Sequence, residues 1–383
     1  MAIANGIIFY AGRRLADITT VVPLLLFRLS GLRWLVGAGH SIIFIARAIP
    51  QVVASRWVDT AERKRPIFIW CALIRFLTIM AMGVSVLYAS RVGYTVALVL
   101  LLSFFALRTL AQGVSSLAWS DIVARSVPTT KRGSLWKWRM VGGLFLVLLF
   151  SAPAVRYMLG DDAPYEFPAN YAVLILVSGI ITGIGWFVFA MVREPEGKPA
   201  KHTLTMKQHL ARGMRFVTED ANYRRLMRVR ICLSAAGAIV PFFIAFAVDV
   251  WGFRDAIAAT FITVQILSQM GGSFLSGWIS DRLGNRKLLV VSGITLFFTS
   301  VFAAVGTYVT PPGGVMVLGH LITWRLLVMM ACFVGSGVFM SQLFPAYTNY
   351  LIDIAPRRKL PSYIGFGSGF TVPIAAAPIV FGW

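Results

Sequence analysis

The stretch "GWISDRLGNRK", Gly277 to Lys287, packs one acid and three bases between apolar runs that carry no formal charge, Ala256 to Ile279 and Leu288 to Tyr308. Each run is long enough to cross a hydrocarbon core of about 30 Å at about 1.5 Å per helical residue. The rest of the chain repeats this build. Of its 383 residues 58% are hydrophobic and only 13% charged, with mean hydropathy +0.76, whereas soluble domains carry about a quarter charged residues. The runs are too long, and too free of alternation, for an outer-membrane barrel. An all-α polytopic membrane protein is expected.

Eleven helices are read at 3–27, 32–57, 67–90, 95–120, 138–157, 169–192, 229–251, 256–280, 287–309, 322–351 and 363–383. Their connections alternate sharply in charge. One set carries twenty-five bases and the other five, Arg28, Arg33, Arg91, Arg156 and Arg254. The positive-inside rule then puts the N-terminus and the basic loops in the cytoplasm of a multi-pass inner-membrane protein. The net charge of +21 accordingly meets anionic lipid headgroups rather than nucleic acid. Cys71, Cys232 and Cys332 lie in separate apolar runs, so no disulfide framework is expected. The four histidines show no metal-ligand spacing, and no cofactor is expected.

The charged knot has a counterpart. In "SRWVDTAERKRP" (55–66), Asp59 ends an apolar run and is followed by Lys64 and Arg65, as Asp281 is followed by Arg286 and Lys287. "VVPLLLF" (21–27) matches "IVPFFIA" (239–245). "DIVARSVPTTKRGS" (121–134) matches "NYLIDIAPRRKLPS" (349–362), each with a Pro, then bases, then a Ser six residues after the Pro. The three landmarks recur in order at offsets of 218, 222 and 228 residues. Two parallel repeats are therefore expected: an N-terminal bundle (1–192), a linker with an amphipathic helix (193–228) and a C-terminal bundle (229–383). Many transporters have this build, with substrate bound between the halves.

"GWISDRLGNRK" resembles the signature loop between the second and third helices of each half in the major facilitator superfamily, through Gly277, Asp281, Arg282, Gly284, Arg286 and Lys287. In the first copy Ser55, Thr60 and Glu62 replace the first Gly, the Arg and the second Gly, which suggests a divergent branch. The expected role is a conformational latch built from Asp59, Lys64, Arg65 and the six matching residues of the second copy. Its aspartates would accept hydrogen bonds from helix N-terminal amides of the opposite half. The fifth helix lacks the Gly-Pro-x-x-Gly-Gly pattern of drug–proton antiporters. "RTLAQG" (108–113) is one residue longer than the family's Arg-x-x-Gln-Gly, which turns Gln112 by about 100°.

Ionisable groups inside spans are costly and mark pathways by default. Arg14 and Asp17, with Arg13, share a face of the first helix, and Arg108 and Gln112 share one on the fourth. The resemblance implies that these helices line a central cavity, to which Arg47, Gln265, Gln269 and Arg325 are added as substrate or coupling residues. Arg75, on a third helix, reads as a structural bond to a neighbour, and Arg13 as a balance for Asp17. One cationic wall facing an apolar wall with a few amides suits a small organic anion with an apolar body.

The expected function is secondary transport by alternating access, as a symporter or antiporter coupled to protons through Asp17. The alternative is a transport-inactive sensor or scaffold that keeps the fold, a reading to which the degraded first copy lends some weight. No phosphate-binding Gly-x4-Gly-Lys-Ser/Thr loop and no nucleophile–base set points to an enzyme. Relatives have twelve spans, so a partner for the sixth helix is expected to be missing after Trp383, by truncation of the gene or of the expressed segment. That leaves the C-terminus on the outer side.

Overall fold

The computed structural model describes the chain except for residues 18–20, 32, 161–162, 197–204, 238–242, 244–250, 252–256, 310–312, 318–319, 371 and 373–383. Pro241 of the repeated landmark, the end of the seventh expected span and the end of the eleventh lie outside the described residues.

The described residues are helical apart from one short antiparallel hairpin, β1 (Gly314–Val317) and β2 (His320–Thr323), and connecting turns. The helices are α1 (Ala2–Leu15), α2 (Val21–Ser30), α3 (Arg33–Thr60), α4 (Arg65–Leu87), α5 (Ala89–Val92), α6 (Tyr94–Ser126), α7 (Arg132–Leu146), α8 (Ala152–Leu159), α9 (Ala169–Ala190), α10 (Met206–Glu219), α11 (Ala221–Gly237), α12 (Ile257–Leu283), α13 (Asn285–Val309), α14 (Trp324–Ile354) and α15 (Leu360–Gly369). Among the described residues six helical segments are long and apolar enough to cross a membrane: Arg65–Leu87, Tyr94–Ser126, Thr129–Leu159, Ala169–Ala190, Asn285–Gly306 and Trp324–Ile354.

Two expected spans are interrupted. The first is not one helix: the chain leaves helical geometry at Ala16 (φ −119°, ψ 58°), and the Asp17 carbonyl accepts the N–H of Val22 at 3.0 Å as α2 begins. In the fifth, a π-turn at Val147–Ser151 joins α7 to α8. Pro153 supplies the cause, since it has no N–H for the carbonyl one turn back, and a wider turn absorbs the mismatch. Ser151 uses the opening to donate to the Ala11 carbonyl of α1 at 2.9 Å.

The chain divides into two compact units. One holds Met1–Pro128, Gly142–Arg228 and Leu351–Trp383; the other holds Thr129–Val141 and Val229–Tyr350. In the first, α4 lies against α6 and α9, α1 against α9, and α3 against both α6 and α15. Ile79, Met82 and Val86 of α4 meet Leu101 and Phe105 of α6 and Tyr171, Leu174 and Ile175 of α9 in one buried cluster. The second unit closes on Phe243, Phe261, Met329, Cys332 and Phe333, with Phe261 and Phe333 stacked at 4.8 Å. Outward-facing residues such as Trp70, Leu77, Phe187 and Phe297 stay exposed. That is the expected surface of helices solvated by lipid, where exposed apolar area costs nothing.

Small residues let backbones approach where side chains would hold them apart. At Gly113 of α6 a Cβ would lie 2.5 Å from the Arg47 carbonyl oxygen of α3. Neither helix backbone can yield locally, so Gly113→Ala is expected to destabilise the protein by about 1–3 kcal/mol, the usual cost of overpacking. Thermal unfolding in detergent reads this as a midpoint several degrees lower, while Ala substitution at exposed Gly271, which has open space around it, leaves the midpoint in place.

Candidate functional site

The two copies of the charged loop sit at helix ends, and each aspartate meets the N-terminus of a helix from the other sequence half. Asp281, on the last turn of α12, accepts the N–H groups of Gly133 and Ser134 at 2.8 and 2.9 Å and the Ser134 hydroxyl. Those donors are the first residues of α7, where backbone amides lack intrahelical partners and the dipole favours an anion. Asp59, on the last turn of α3, accepts the Ser362 N–H at 3.2 Å and its hydroxyl at the start of α15. Ser134 and Ser362 are the serines that close the third repeated landmark. Aspartate and serine pair crosswise between the repeats.

The glycines of the second copy have separate physical jobs. A Cβ on Gly277 would lie 2.9 Å from the Lys137 Cβ and 3.1 Å from the Gly133 carbonyl oxygen, so only glycine lets α12 approach α7 closely enough for Asp281 to reach the amides. Gly284 has φ +87°, a left-handed conformation that ends α12 and starts α13 at little cost without a Cβ.

The bases behave differently in the two copies. Lys64 is 1% exposed and donates to the Val58 and Ala61 carbonyls. It closes the C-terminus of α3 by gripping backbone carbonyls. Arg65 donates its Nε to the Ala190 carbonyl at 2.6 Å. Glu194 accepts the Lys64 and Arg65 N–H groups at 2.7 and 2.9 Å, capping α4. Arg282, Arg286 and Lys287 are exposed.

A third layer is α10, the amphipathic helix expected in the linker. Thr205 caps it through a reciprocal bond pair with Gln208. The apolar face that the sequence offers over 204–217 is Leu204 (outside the described residues), Met206, Leu210, Met214 and Val217, and it is not the one that packs inward: Leu210 and Met214 are exposed, and His209, Gly213 and Phe216 are buried. The helix is turned by one residue because Gly213 admits the Phe366 ring, which a Cβ would meet at 2.1 Å. His209 is fully buried. Its Nε2 lies 3.0 Å from the Ser55 hydroxyl and 3.2 Å from the Val52 carbonyl, its ring packs on Phe366, and its Nδ1 has no partner. Arg212, on the same helix, reaches Asp59 at 4.0 Å.

Of the expected cavity residues, Arg14 and Asp17 form an ion pair at 3.1 Å, with Asp17 buried. Arg108 is 8% exposed and its Nε has no acceptor. Arg75 was expected to play a structural part. It is 5% exposed, donates to the Ser115 hydroxyl at 3.1 Å and lies 4.0 Å over the Trp186 ring, yet its Nε also lacks an acceptor. It stands within electrostatic reach of Arg108 and Arg47, and Arg108 within reach of Arg13. Gln112 is half-buried on α6. In the other unit Gln265 donates to the Ser336 hydroxyl at 2.9 Å and Gln269 to the Met340 sulfur at 3.7 Å. Arg325 is exposed on the first turn of α14 and joins none of these groups.

The fold is shared with known membrane transporters. A bacterial homologue of the iron transporter ferroportin, in an outward-facing state with soaked iron, is 14% identical, with a TM-score of 0.70 over 100% of this chain and 92% of that one. The proton:xylose symporter XylE bound to 6-bromo-6-deoxy-D-glucose is 13% identical (TM-score 0.69; 99% and 87% covered), and FucP in the outward conformation is 13% identical (0.70; 99% and 88%). A search of curated proteins finds no match. These likenesses define the secondary-transporter fold. The family model of the Major Facilitator Superfamily matches residues 2–378, and the chain belongs to that superfamily.

The α10 contact carries a pH dependence. Burial, with Arg212 and Arg56 nearby, holds the His209 pKa below its usual value, although its bond to Val52 opposes this. The docked helix thus binds fewer protons than the free one. Docking is fully stable above pH about 6.5 and is lost as the pH falls through the lowered value. Burial acts oppositely on Asp59, just past the end of the second expected span. It raises that carboxyl to about 6 despite Ser362, Lys64 and Arg212, so its contribution is present in acid and fades as pH rises through about 6. Hydrogen exchange of the 213–216 amides, corrected for intrinsic rates, is expected to speed up between pH 7.5 and 5.5. His209→Gln is expected to remove that acceleration and Asp59→Asn to enlarge it.

Proposed function

We propose that this protein is a secondary transporter that moves a small organic anion with an apolar body across a cell membrane by alternating access. The carrying observation is the Arg75–Arg108 pair. Both guanidiniums are buried in helices that cross the membrane, each has an Nε without an acceptor, and each feels further arginines. Asp17, the expected coupling carboxylate of the first half, is engaged by Arg14. Arginine does not escape by losing its proton, and an uncompensated buried charge costs several kcal/mol, on the order of 3–5 when a partner is removed. An anionic solute supplies the missing charge.

In this reading residues 1–192 and 229–383 are the two bundles, and 193–228 is a cytoplasmic linker. The N-terminus is cytoplasmic, the membrane is the inner one, and the protein is not an enzyme. Arg14, Asp17, Arg47, Arg108 and Gln112 face the solute from the first half, and Gln265 and Gln269 from the second. Arg75 joins them as the counterpart of Arg108. The crosswise aspartate–serine bonds form the latch, which holds one side shut and opens when the bonds break. XylE and FucP are named proton symporters, and a proton carried by Asp17 gives this chain the same coupling.

Two outcomes test the reading in proteoliposomes. Arg108→Lys keeps the charge but loses the planar, bidentate donor geometry. Uptake of the anionic substrate found in a labelled panel is expected to fall at least about tenfold, equal to about 1.4 kcal/mol, with expression unchanged. Full transport by the Lys variant would make Arg108 structural. Asp17→Asn is expected to abolish accumulation driven by a proton gradient while substrate exchange continues. Accumulation by that variant would remove Asp17 from coupling, and a wild-type protein inert to every anion of the panel would overturn the substrate class.

A further inference from the structure

We propose that the protein holds an anionic glycerophospholipid at the basic end of α4, with the lipid phosphate between Arg63 and Arg65 and the glycerol against Pro66 and Trp70. A cavity of about 440 Å³ opens there, lined by Arg63, Arg65, Pro66, Ile69, Trp70 and Glu194. Its lining is two-natured, two arginines and a glutamate with a proline, an isoleucine and a tryptophan.

The acid in the lining does not cancel the bases. Both Glu194 oxygens are taken, one by the Lys64 N–H and the other by the Arg65 N–H, and Arg125 stands 3.9 Å away. That carboxylate is spent on the helix end and on a neighbouring guanidinium. Arg65 is fixed across the end of α9 by its Nε bond to the Ala190 carbonyl, which leaves its terminal nitrogens to a further acceptor. Arg63 is exposed. Two cations close together, one of them held in place, present a phosphate with a preformed fork.

The apolar wall selects a lipid over a soluble phosphate. Ile69 and Trp70 are exposed, and Leu73 and Leu77 continue the same exposed face along α4. From Arg65 to Trp70 is about 7.5 Å along the helix, and from Arg65 to Leu77 about 18 Å. The first matches a phosphoglycerol group and the second the roughly 15 Å depth of one leaflet's hydrocarbon. A tryptophan two-thirds exposed (66%) at a helix end is the side chain that the headgroup boundary favours, ring among the chains and N–H toward water. A zwitterionic lipid also brings a phosphate, but its ammonium would meet two arginines and a carboxylate already engaged. The anionic headgroup is therefore preferred.

Native mass spectrometry of the purified protein in neutral detergent, titrated with phosphatidylglycerol or phosphatidylcholine, tests the assignment. The first phosphatidylglycerol is expected to bind at least about fivefold more tightly than phosphatidylcholine. Arg63→Gln and Arg65→Gln are each expected to erase about fivefold of that affinity, the usual weight of one base near an anionic headgroup. Arg358→Gln, an equally exposed base elsewhere, is expected to change nothing. Should Arg65→Gln fail to fold through loss of its Ala190 bond, the exposed Arg63 decides. Equal binding of the two lipids, or equal loss in the Arg358 variant, overturns the site. Competition by glycerol 3-phosphate as effective as by phosphatidylglycerol reassigns it to a soluble phosphate and overturns the lipid.

Discussion

Everything at the basic ends of these helices depends on a carboxylate meeting the N–H groups of a helix N-terminus. The first amides of a helix have no partner within it, and the aligned peptide dipoles place about half a positive charge there. Asp281 satisfies two such amides and a hydroxyl of α7, and Asp59 does the same for one amide and a hydroxyl of α15. The remaining features support those two contacts. Gly277 removes the side chain that would keep α12 from α7. Lys64 closes the end of α3 so that Asp59 is presented squarely. Arg212 and His209 bring a further helix onto the Asp59 joint.

The bonding strategy of the first half is different in kind. Where water is scarce, an arginine needs acceptors for up to five donors. Arg75 finds a hydroxyl and an indole face, and Arg108 is left with a buried donor unmet. Such a group raises the energy of the empty protein and lowers the energy of whatever completes it. In the other unit Gln265 pairs with the Ser336 hydroxyl and Gln269 with the Met340 sulfur, neutral contacts that leave no charge to be compensated.

How much of this could be read from residues alone follows from how local each cause is. The charged loops were legible because Asp, turn glycine and bases lie within a dozen positions, and the serines were visible as a repeat. That each aspartate meets helix N-terminal amides of the opposite half was implied by the resemblance, but that the landmark serine supplies them was not, since pattern records kinship and not proximity. Arg75 was read as a structural bond to a neighbour, and it does bond the Ser115 hydroxyl and cover the Trp186 ring. Which neighbours it takes was not legible, because both come from elements distant in sequence. Helix α10 was found, but with the wrong face inward. Hydrophobicity favoured Leu210 and Met214, whereas the contact depends on the space left by Gly213, which no polarity scale counts. The break at Ala16 hid inside an unbroken apolar run.

The crosswise pairing of Asp59 with Ser362 and Asp281 with Ser134 has a meaning for the history of the chain. When residue i of one copy bonds residue j of another, and j of the first bonds i of the second, the interface is isologous, the kind that joins identical subunits. A single half-length polypeptide that met its own twin would have made both bonds at once from one set of residues. Fusing the copies frees each bond to drift by itself. Ser55, Thr60 and Glu62 now stand where the second copy keeps Gly277, Arg282 and Gly284, while the aspartate and its serine persist in both. What a symmetric dimer would conserve as one site, this chain carries as two sites with different bonds, two amides and a hydroxyl at Asp281 but one amide and a hydroxyl at Asp59.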